Sequence, residues 1–216
     1  MSSLIVFDLD GTLADTRGDL SNAVNFMRQS MGLDALPQEV VVSMVGDGIP
    51  ALISRALAVS GITDDTGKAL RTMKEYYHSH LLESTFLYPG VDDGIAGLKN
   101  RGNVIALVSN KTTDACIEIL RGLGVADFFD DIIGGDSSFP LKPAPDALDF
   151  LQHKYQIPRE KCWILGDNHT DISAGKHAGF HTVFAEYGFG VIKDDIPEFS
   201  AAGFDDFLSI ICRKQI

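Results

Sequence analysis

The stretch LIVFDLDGTL, residues 4–13, decides the fold of this chain. Its first four residues are a short, continuous apolar run, which is typical of a strand buried on both faces of a parallel sheet. Similar runs recur at residues 104–108, 132–133, 162–165 and 182–184, with amphipathic segments of helical length between them. This alternation predicts an α/β fold, with a parallel sheet that is covered by helices on both faces.

Composition and charge narrow the class of protein. The 216 residues suit one domain with a small insert, and 45% hydrophobic with 22% charged residues is typical of a globular chain. Eighteen Lys and Arg against thirty Asp and Glu give a net charge of −12, which disfavours nucleic acid and anionic membranes as partners. Three widely spaced cysteines and the absence of a membrane-length apolar run predict a cytoplasmic protein with free thiols. Composition leaves open whether it is a monomer or a homodimer.

The stretch from residue 17 to 87 breaks the alternation, because it contains no convincing strand. Residues 40–45 could form one, but they follow Pro37, a favourable position for a helix start. Residues 49–57 carry a helical apolar stripe, and a further polar helix is predicted from Asp64 to about Leu82. We therefore expect an all-helical insert at 17–87 within an α/β domain that comprises residues 1–16 and 88–216.

Two carboxylates follow the first apolar run. Asp8 and Asp10 stand one residue apart, so strand alternation would place both on the same side. In an open α/β sheet, ligands bind beyond the carboxyl ends of the strands, where one carboxylate could attack while the other moves a proton. Asp10-Gly11 is also a turn signal, but a hairpin needs a second alternating strand, and residues 14–20 do not supply one. The whole segment therefore predicts a site.

Two further polar segments follow later in the chain. Ser109 and Asn110 come directly after residues 104–108 and could donate hydrogen bonds to a phosphate, although such residues also commonly cap a helix. Lys142 opens the segment KPAPD, in which two prolines restrict the backbone and Asp146 can begin a helix. A lysine held in this way could neutralise an anionic substrate. The alternative is a solvated lysine in a proline-rich loop.

The segment GDNHTD, residues 166–171, follows another apolar run. With Asp8, its carboxylates Asp167 and Asp171 make an all-oxygen ligand set of the kind that Mg²⁺ prefers. Helix capping by Asp167 or Asn168 is the alternative, with Asp171 favoured by the helix dipole. His169 is expected at the surface or behind the ligands, because hard cations prefer oxygen.

In this order, DLDGTL, SN, KPAP and GDNHTD resemble the four motifs of the haloacid dehalogenase-like (HAD) superfamily, and the resemblance covers essentially the whole chain. It implies a Rossmann-like parallel sheet with an inserted helical cap. Within the superfamily, the chain is similar to the phosphoglycolate phosphatase subgroup. The segments that carry this similarity are DGTLADT at 10–16, VGDG at 45–48, RAL at 55–57, YPG at 88–90 and YGFG at 187–190.

The resemblance implies roles for the matching positions. Asp8 would be the nucleophile of an aspartyl-phosphate mechanism, and Asp10 the general acid and then the base. The implied phosphate ligands are Ser109, Asn110 and Lys142. The implied ligands of a Mg²⁺ cofactor are Asp8, Asp10 through its backbone carbonyl, Asp167, and Asp171 directly or through water. The candidate specificity positions in the cap are Gly46, Gly48 and Arg55, and the alternative is that they form only a turn and an exposed helical arginine.

The implied function is Mg²⁺-dependent hydrolysis of a small phosphorylated metabolite, with phosphoglycolate as the first candidate. A sugar-phosphate mutase of the same superfamily would keep both aspartates and stays open as an alternative. A catalytically inactive binding protein is the other alternative. Such a protein would be expected to have lost at least one charged motif residue, and this chain has lost none.

Overall fold

The computed structural model describes residues 2–63 and 66–214, and in that part of the chain eight strands form two sheets. The strands, in chain order, are β1 (Leu4–Phe7), β2 (Ala14–Asp15), β3 (Phe86–Leu87), β4 (Val104–Val108), β5 (Asp131–Ile133), β6 (Cys162–Gly166), β7 (His181–Ala185) and β8 (Phe199–Ala201). Six of them make one parallel sheet in the order β5-β4-β1-β6-β7-β8. The predicted α/β class is confirmed, and each apolar run named above lies in a strand.

Helices connect the strands. The α-helices are α1 (Arg17–Ser30), α2 (Gln38–Val42), α3 (Ile49–Ala58), α4 (Thr66–Ser79), α5 (Val91–Asn100), α6 (Thr113–Gly122), α7 (Asp146–Tyr155), α8 (His169–Ala178) and α9 (Phe204–Lys214). The longest have 14 residues, and no helix of the described residues is both long and apolar enough to cross a membrane.

The core lies on both faces of the sheet, and β1 shows why. Its side chains alternate, so Ile5 and Phe7 join one apolar cluster while Leu4 and Val6 join the other. The rings of Phe204 and Phe207 in α9 lie 5.8 and 5.6 Å from the Phe7 ring. Helices α5, α6 and α9 cover the first face, and α7 and α8 cover the second. Because both faces are buried, the strand is apolar throughout.

The stretch between β2 and β3 is helical, as predicted. Residues 40–45 form no strand, and α2 ends at Val42. The apolar stripe of α3 is buried, with Leu52 and Ile53 at 3% and 1% exposure. The predicted polar helix corresponds to α4, which ends at Ser79 rather than near Leu82, and its predicted start at Asp64 lies outside the described residues.

Two short strands, one of them at the end of this stretch, correct the sequence analysis. The expectation of no strand within 17–87 is wrong for Phe86 and Leu87, which form β3 and pair antiparallel with Asp15 and Ala14 of β2. Strand β8 was also not predicted. Two or three residues are too few to show a period of two, so these strands exist only because a partner lies beside them. The segment by which the chain leaves the α/β part and the segment by which it returns therefore lie side by side.

Candidate active site

Three buried carboxylates meet at the carboxyl edge of the sheet. Asp8 directly follows β1, and Asp167 directly follows the neighbouring strand β6. Asp171, in the first turn of α8, completes a group in which one oxygen of each side chain lies within 4.8 Å of the others. Burial, followed by the charges of Asp171 and Asp8, raises the pKa of Asp167 well above its ordinary value. This crowding of negative charge is relieved when a cation binds between the carboxylates.

A glycine-containing loop holds Asp167 in place. The backbone N–H groups of Phe189 and Gly190 donate to Oδ2 of Asp167 at 2.9 and 2.6 Å. A Cβ atom on Gly188 would lie 2.4 Å from the Cβ of Asp167, so only glycine allows this approach. Sequence analysis singled out this loop by resemblance alone, whereas the structure shows that it packs directly against the carboxylate cluster.

Lys142 connects two of these carboxylates. Its Nζ lies 2.9 Å from Oδ1 of Asp8 and 2.6 Å from Oδ1 of Asp171, and it donates to the carbonyl of Val108 at 2.6 Å. Burial lowers the pKa of Lys142, but Asp171 and Asp8 together outweigh burial, so the pKa lies above its ordinary value. The lysine is not a solvated loop residue. It supplies a fixed positive charge beside Asp8.

Asp171 also takes part in helix capping. Its Oδ2 accepts the backbone N–H of Asn168 at 3.0 Å, while the Asn168 side chain accepts from the backbone N–H of Thr170 at 3.3 Å. This is a capping box at the start of α8. Burial is the main cause that raises the pKa of Asp171, to about 6. Capping and membership of the acidic cluster are therefore compatible, and both oxygens of Asp171 already accept hydrogen bonds.

Asp10 contacts two residues that sequence analysis did not select, and one of these contacts a third. Its Oδ1 accepts from Oγ1 of Thr16 at 2.6 Å and lies 2.9 Å from Nζ of Lys111. Lys111 in turn donates to the hydroxyl of Tyr77, in α4, at 2.6 Å. Burial lowers the pKa of Lys111, but Asp10 and Tyr77 outweigh burial and raise it above its ordinary value. Lys111 directly follows Ser109-Asn110, but no local pattern links it to Tyr77, 34 residues away.

The two predicted phosphate ligands after β4 differ in their surroundings. Ser109 is 4% exposed and lines the pocket. Asn110 donates through Nδ2 to the carbonyls of Gly46 and Lys142 at 2.9 and 3.0 Å, and its Oδ1 accepts from the backbone N–H of Lys142 at 2.9 Å. Both amide hydrogens of Asn110 are therefore committed, so its side chain has no donor left for a phosphate. Asn110 instead fastens two loops at the rim of the site.

The three predicted cap positions differ in whether they line the pocket. Gly46 and Gly48 line the pocket with positive φ angles of 126° and 84°. Arg55 does not line it. The Arg55 guanidinium donates to the carbonyl of Met44 at 2.8 Å and to Asp47, and its side chain is 44% exposed. Arg55 thus supports the loop that carries the two glycines, and it has no contact with the pocket in this structure.

A small pocket is lined both by residues of the carboxylate cluster and by Asp10 with Lys111. It has a volume of about 40 Å³. One wall is polar and contains Asp8, Asp10, Ser109, Lys111, Lys142 and Asp167. The facing wall is largely apolar and contains Leu20, Val45, Ile49, Leu52 and Phe189. All but the last of these apolar residues belong to the helical stretch 17–87.

Comparison with known proteins agrees with this geometry. The family model described as haloacid dehalogenase-like hydrolase matches residues 5–185. The chain therefore belongs to the haloacid dehalogenase-like hydrolase family.

Individual relatives indicate the class of hydrolase to which the chain belongs. The chain is 35% identical to a phosphoglycolate phosphatase of Vibrio parahaemolyticus, over 96% of this chain and 95% of that protein. It is 37% identical to one of Neisseria meningitidis, over 86% of this chain and 81% of that protein. A crystal structure of a predicted phosphoglycolate phosphatase from Haemophilus somnus superposes with a TM-score of 0.91 at 30% identity, with 97% of each chain covered. The protein is an enzyme of the phosphoric monoester hydrolase class.

Proposed function

We propose that the enzyme is a Mg²⁺-dependent phosphatase that hydrolyses phosphoglycolate through an aspartyl-phosphate on Asp8. One observation carries the proposal. Asp8 lies in a pocket between Lys142 and the buried carboxylates Asp167 and Asp171, with a second carboxylate, Asp10, on the same pocket wall. Phosphoryl transfer requires chiefly positioning and charge neutralisation, and this arrangement supplies both.

In the first step, an oxygen of Asp8 attacks phosphorus, and the bond from phosphorus to the leaving alcohol breaks. Asp10 gives its proton to the departing oxygen. Because Oδ1 of Asp10 already accepts from Thr16 and lies beside Lys111, Oδ2 is the oxygen through which the proton would be transferred. In the second step, Asp10 takes a proton from water, the water oxygen attacks phosphorus, and Asp8 is released with inorganic phosphate. Ser109, which lines the same pocket, would donate its hydroxyl to a phosphate oxygen.

The residues present fit a divalent cation. Three buried carboxylates share the positive charge of one ammonium, that of Lys142, so their negative charge is not fully neutralised within the described residues. Asp8, Asp167 and the backbone carbonyl of Asp10 would hold Mg²⁺. Asp171, whose oxygens already accept from Lys142 and Asn168, would support the site from behind. The bound cation supplies positive charge that lowers the repulsion between Asp8 and the phosphate.

We further propose that residues 17–87 act as a cap that opens to admit substrate. The pocket of about 40 Å³ is smaller than the cavity of roughly 150 Å³ that accommodates benzene in another protein. We infer from this small volume that one wall moves when a phosphomonoester binds. The antiparallel pair of β2 and β3 at the base of the stretch is a natural hinge. Closure would then exclude water and select small substrates.

Phosphoglycolate is the preferred candidate because the relatives reported above carry that name and because the pocket is small. Its carboxylate would need hydrogen-bond donors when buried. Arg55 does not line the pocket, so we propose that the backbone N–H groups around Gly46 and Gly48, which do line it, supply donors from the cap side.

The test is a substrate panel with purified protein. The substrates are phosphoglycolate, a hexose phosphate, a nucleotide and pyrophosphate, assayed with Mg²⁺ and with chelator, and Asp8→Asn serves as the inactive control. We expect Mg²⁺-dependent phosphate release with the highest kcat/KM on phosphoglycolate. Isomerised sugar phosphate with little free phosphate would favour a mutase. No turnover of any substrate would favour a binding protein.

The free thiols of Cys116, Cys162 and Cys212 support our proposal that the enzyme works in a reducing cytoplasm. Its proposed partner is the small phosphorylated substrate. Fractionation of cells followed by detection of the protein tests the location.

A further inference from the structure

Lys111 is a buried cation that the mechanism above does not use. Its side chain is 3% exposed, and its ammonium lies 2.9 Å from Oδ1 of Asp10. The same ammonium donates to Oη of Tyr77 at 2.6 Å and lies 4.6 Å from the centre of the Tyr77 ring. A lysine that is buried so completely must be paired, and both of its partners are side chains of other segments.

This arrangement constrains Asp10 in a specific way. Thr16 and Lys111 both contact Oδ1, so two donors on different segments restrict the rotation of one carboxyl group. Among the described residues, Oδ2 has no hydrogen-bond partner, and Asp10 lines the pocket. The oxygen that would carry the transferable proton is therefore left free, while the other oxygen is held.

The network also spans the two parts of the chain. Tyr77 belongs to α4, in the proposed cap, whereas Asp10 and Lys111 belong to loops that follow β1 and β4. Tyr77 is 2% exposed, and its hydroxyl reaches across to Lys111. Lys111 has both partners only while α4 lies against the sheet. Movement of α4 away from the sheet would therefore separate Tyr77 from Lys111, the residue that contacts Asp10.

We propose that Lys111 is a positioning residue that holds Asp10 ready for proton transfer, and that Tyr77 makes this hold depend on the closed cap. The proposal rests on the proposed function, because it assigns Lys111 a task in the same reaction. Lys111 acts through Asp10 and not on the substrate itself.

The experiment uses two substrates of similar shape that differ in their need for an acid. Phenyl phosphate releases a strongly basic phenoxide that requires protonation, whereas 4-nitrophenyl phosphate releases a stable anion. Since kcat/KM reports the steps up to departure of the alcohol, it isolates the first half of the reaction. General acid catalysis contributes about 10²–10⁴-fold, so a misplaced acid has a measurable effect.

We expect Lys111→Met to lose at least about tenfold more kcat/KM on phenyl phosphate than on 4-nitrophenyl phosphate. Lys111→Arg should recover part of that difference, because it restores the charge. Tyr77→Phe should show a smaller difference in the same direction, and it carries the test if Lys111→Met does not fold. Lys74→Met, at an exposed position of the same helix α4, is the matched control and should leave both values unchanged.

Equal losses on both substrates, in variants whose thermal unfolding is unchanged, would overturn the proposal, because Lys111 would then support the pocket in general. Failure of the proposed function looks different. In that case the unmodified enzyme releases no phosphate from either substrate in Mg²⁺, and the positioning proposal falls with it.

Discussion

Replacing Asp167 by Asn should stabilise the metal-free protein and at the same time remove its response to Mg²⁺. Asp167 is 2% exposed and shares a cluster with Asp8 and Asp171, in which oxygen atoms lie within 4.8 Å of one another. Among the described residues, the ammonium of Lys142 is the one cation in contact with these carboxylates. An amide oxygen can still accept the two backbone N–H groups that hold the Asp167 side chain. The substitution therefore removes charge with little change in shape.

The expected magnitude follows from Coulomb's law. Two unit charges at 4.8 Å, the upper limit of the distances within the cluster, repel by about 3.5 kcal/mol at an effective dielectric constant of roughly 20. Partial protonation of Asp167, whose pKa is raised, relieves some of this repulsion in the unmodified protein. We therefore expect a net gain of about 1–3 kcal/mol in the free energy of unfolding. In a chain of this size, each kcal/mol shifts Tm by about 2–4 °C.

Thermal unfolding in chelator and in excess Mg²⁺ measures both effects. Mg²⁺ at 100 times its dissociation constant should stabilise the unmodified protein by about 2.7 kcal/mol and should have little effect on Asp167→Asn. Asp127→Asn, which removes an equal charge at an exposed position, is the matched control and should leave Tm and the Mg²⁺ response unchanged. A Tm in chelator that falls for Asp167→Asn, or a Mg²⁺ response that survives, would refute the reasoning.

Three other predictions concern turnover. Asp8→Asn should abolish phosphate release with Tm within a few degrees of the unmodified protein, because an amide is a poor nucleophile; substantial activity would exclude Asp8 as nucleophile. Ca²⁺ should inhibit Mg²⁺-supported phosphate release, because it takes more oxygen ligands at longer distances and so misdirects Asp8; undiminished activity in excess chelator would contradict a metal site. Arg55→Ala should lower kcat/KM for phosphoglycolate and phenyl phosphate by the same factor, since Arg55 contacts Met44 and Asp47; a loss confined to phosphoglycolate would show that Arg55 binds the carboxylate.

Local sequence was sufficient for the α/β class. A run such as Leu4 to Phe7 is apolar because both faces of β1 are buried, and that burial is visible in the composition of the run itself. The positions of Asp8, Ser109 and Asp167 followed for the same reason. Each directly follows a strand, and the carboxyl ends of adjacent parallel strands share one edge of the sheet.

Partnerships between distant segments depended on the tertiary structure. The pairing of β2 with β3 joins residues more than 70 positions apart in segments too short to show a period. Asn110 was predicted to be a phosphate ligand, but its side-chain amide donates to the backbone carbonyls of Gly46 and Lys142. Such partners cannot be predicted from the sequence. The type of a polar side chain determines which hydrogen bonds it can form, but the fold determines which partner lies beside it.

The difference between what the sequence determines and what the tertiary structure determines is clearest around Asp10. The sequence by itself determined that a carboxylate stands two residues after Asp8, because both belong to one short motif after a strand. Only the tertiary structure decided that Lys111 contacts that carboxylate and Tyr77 contacts Lys111, and that Arg55 binds Met44 and Asp47 and does not line the pocket. Motif residues are placed by the local backbone, whereas the charges around them are placed by the packing of helices against the sheet.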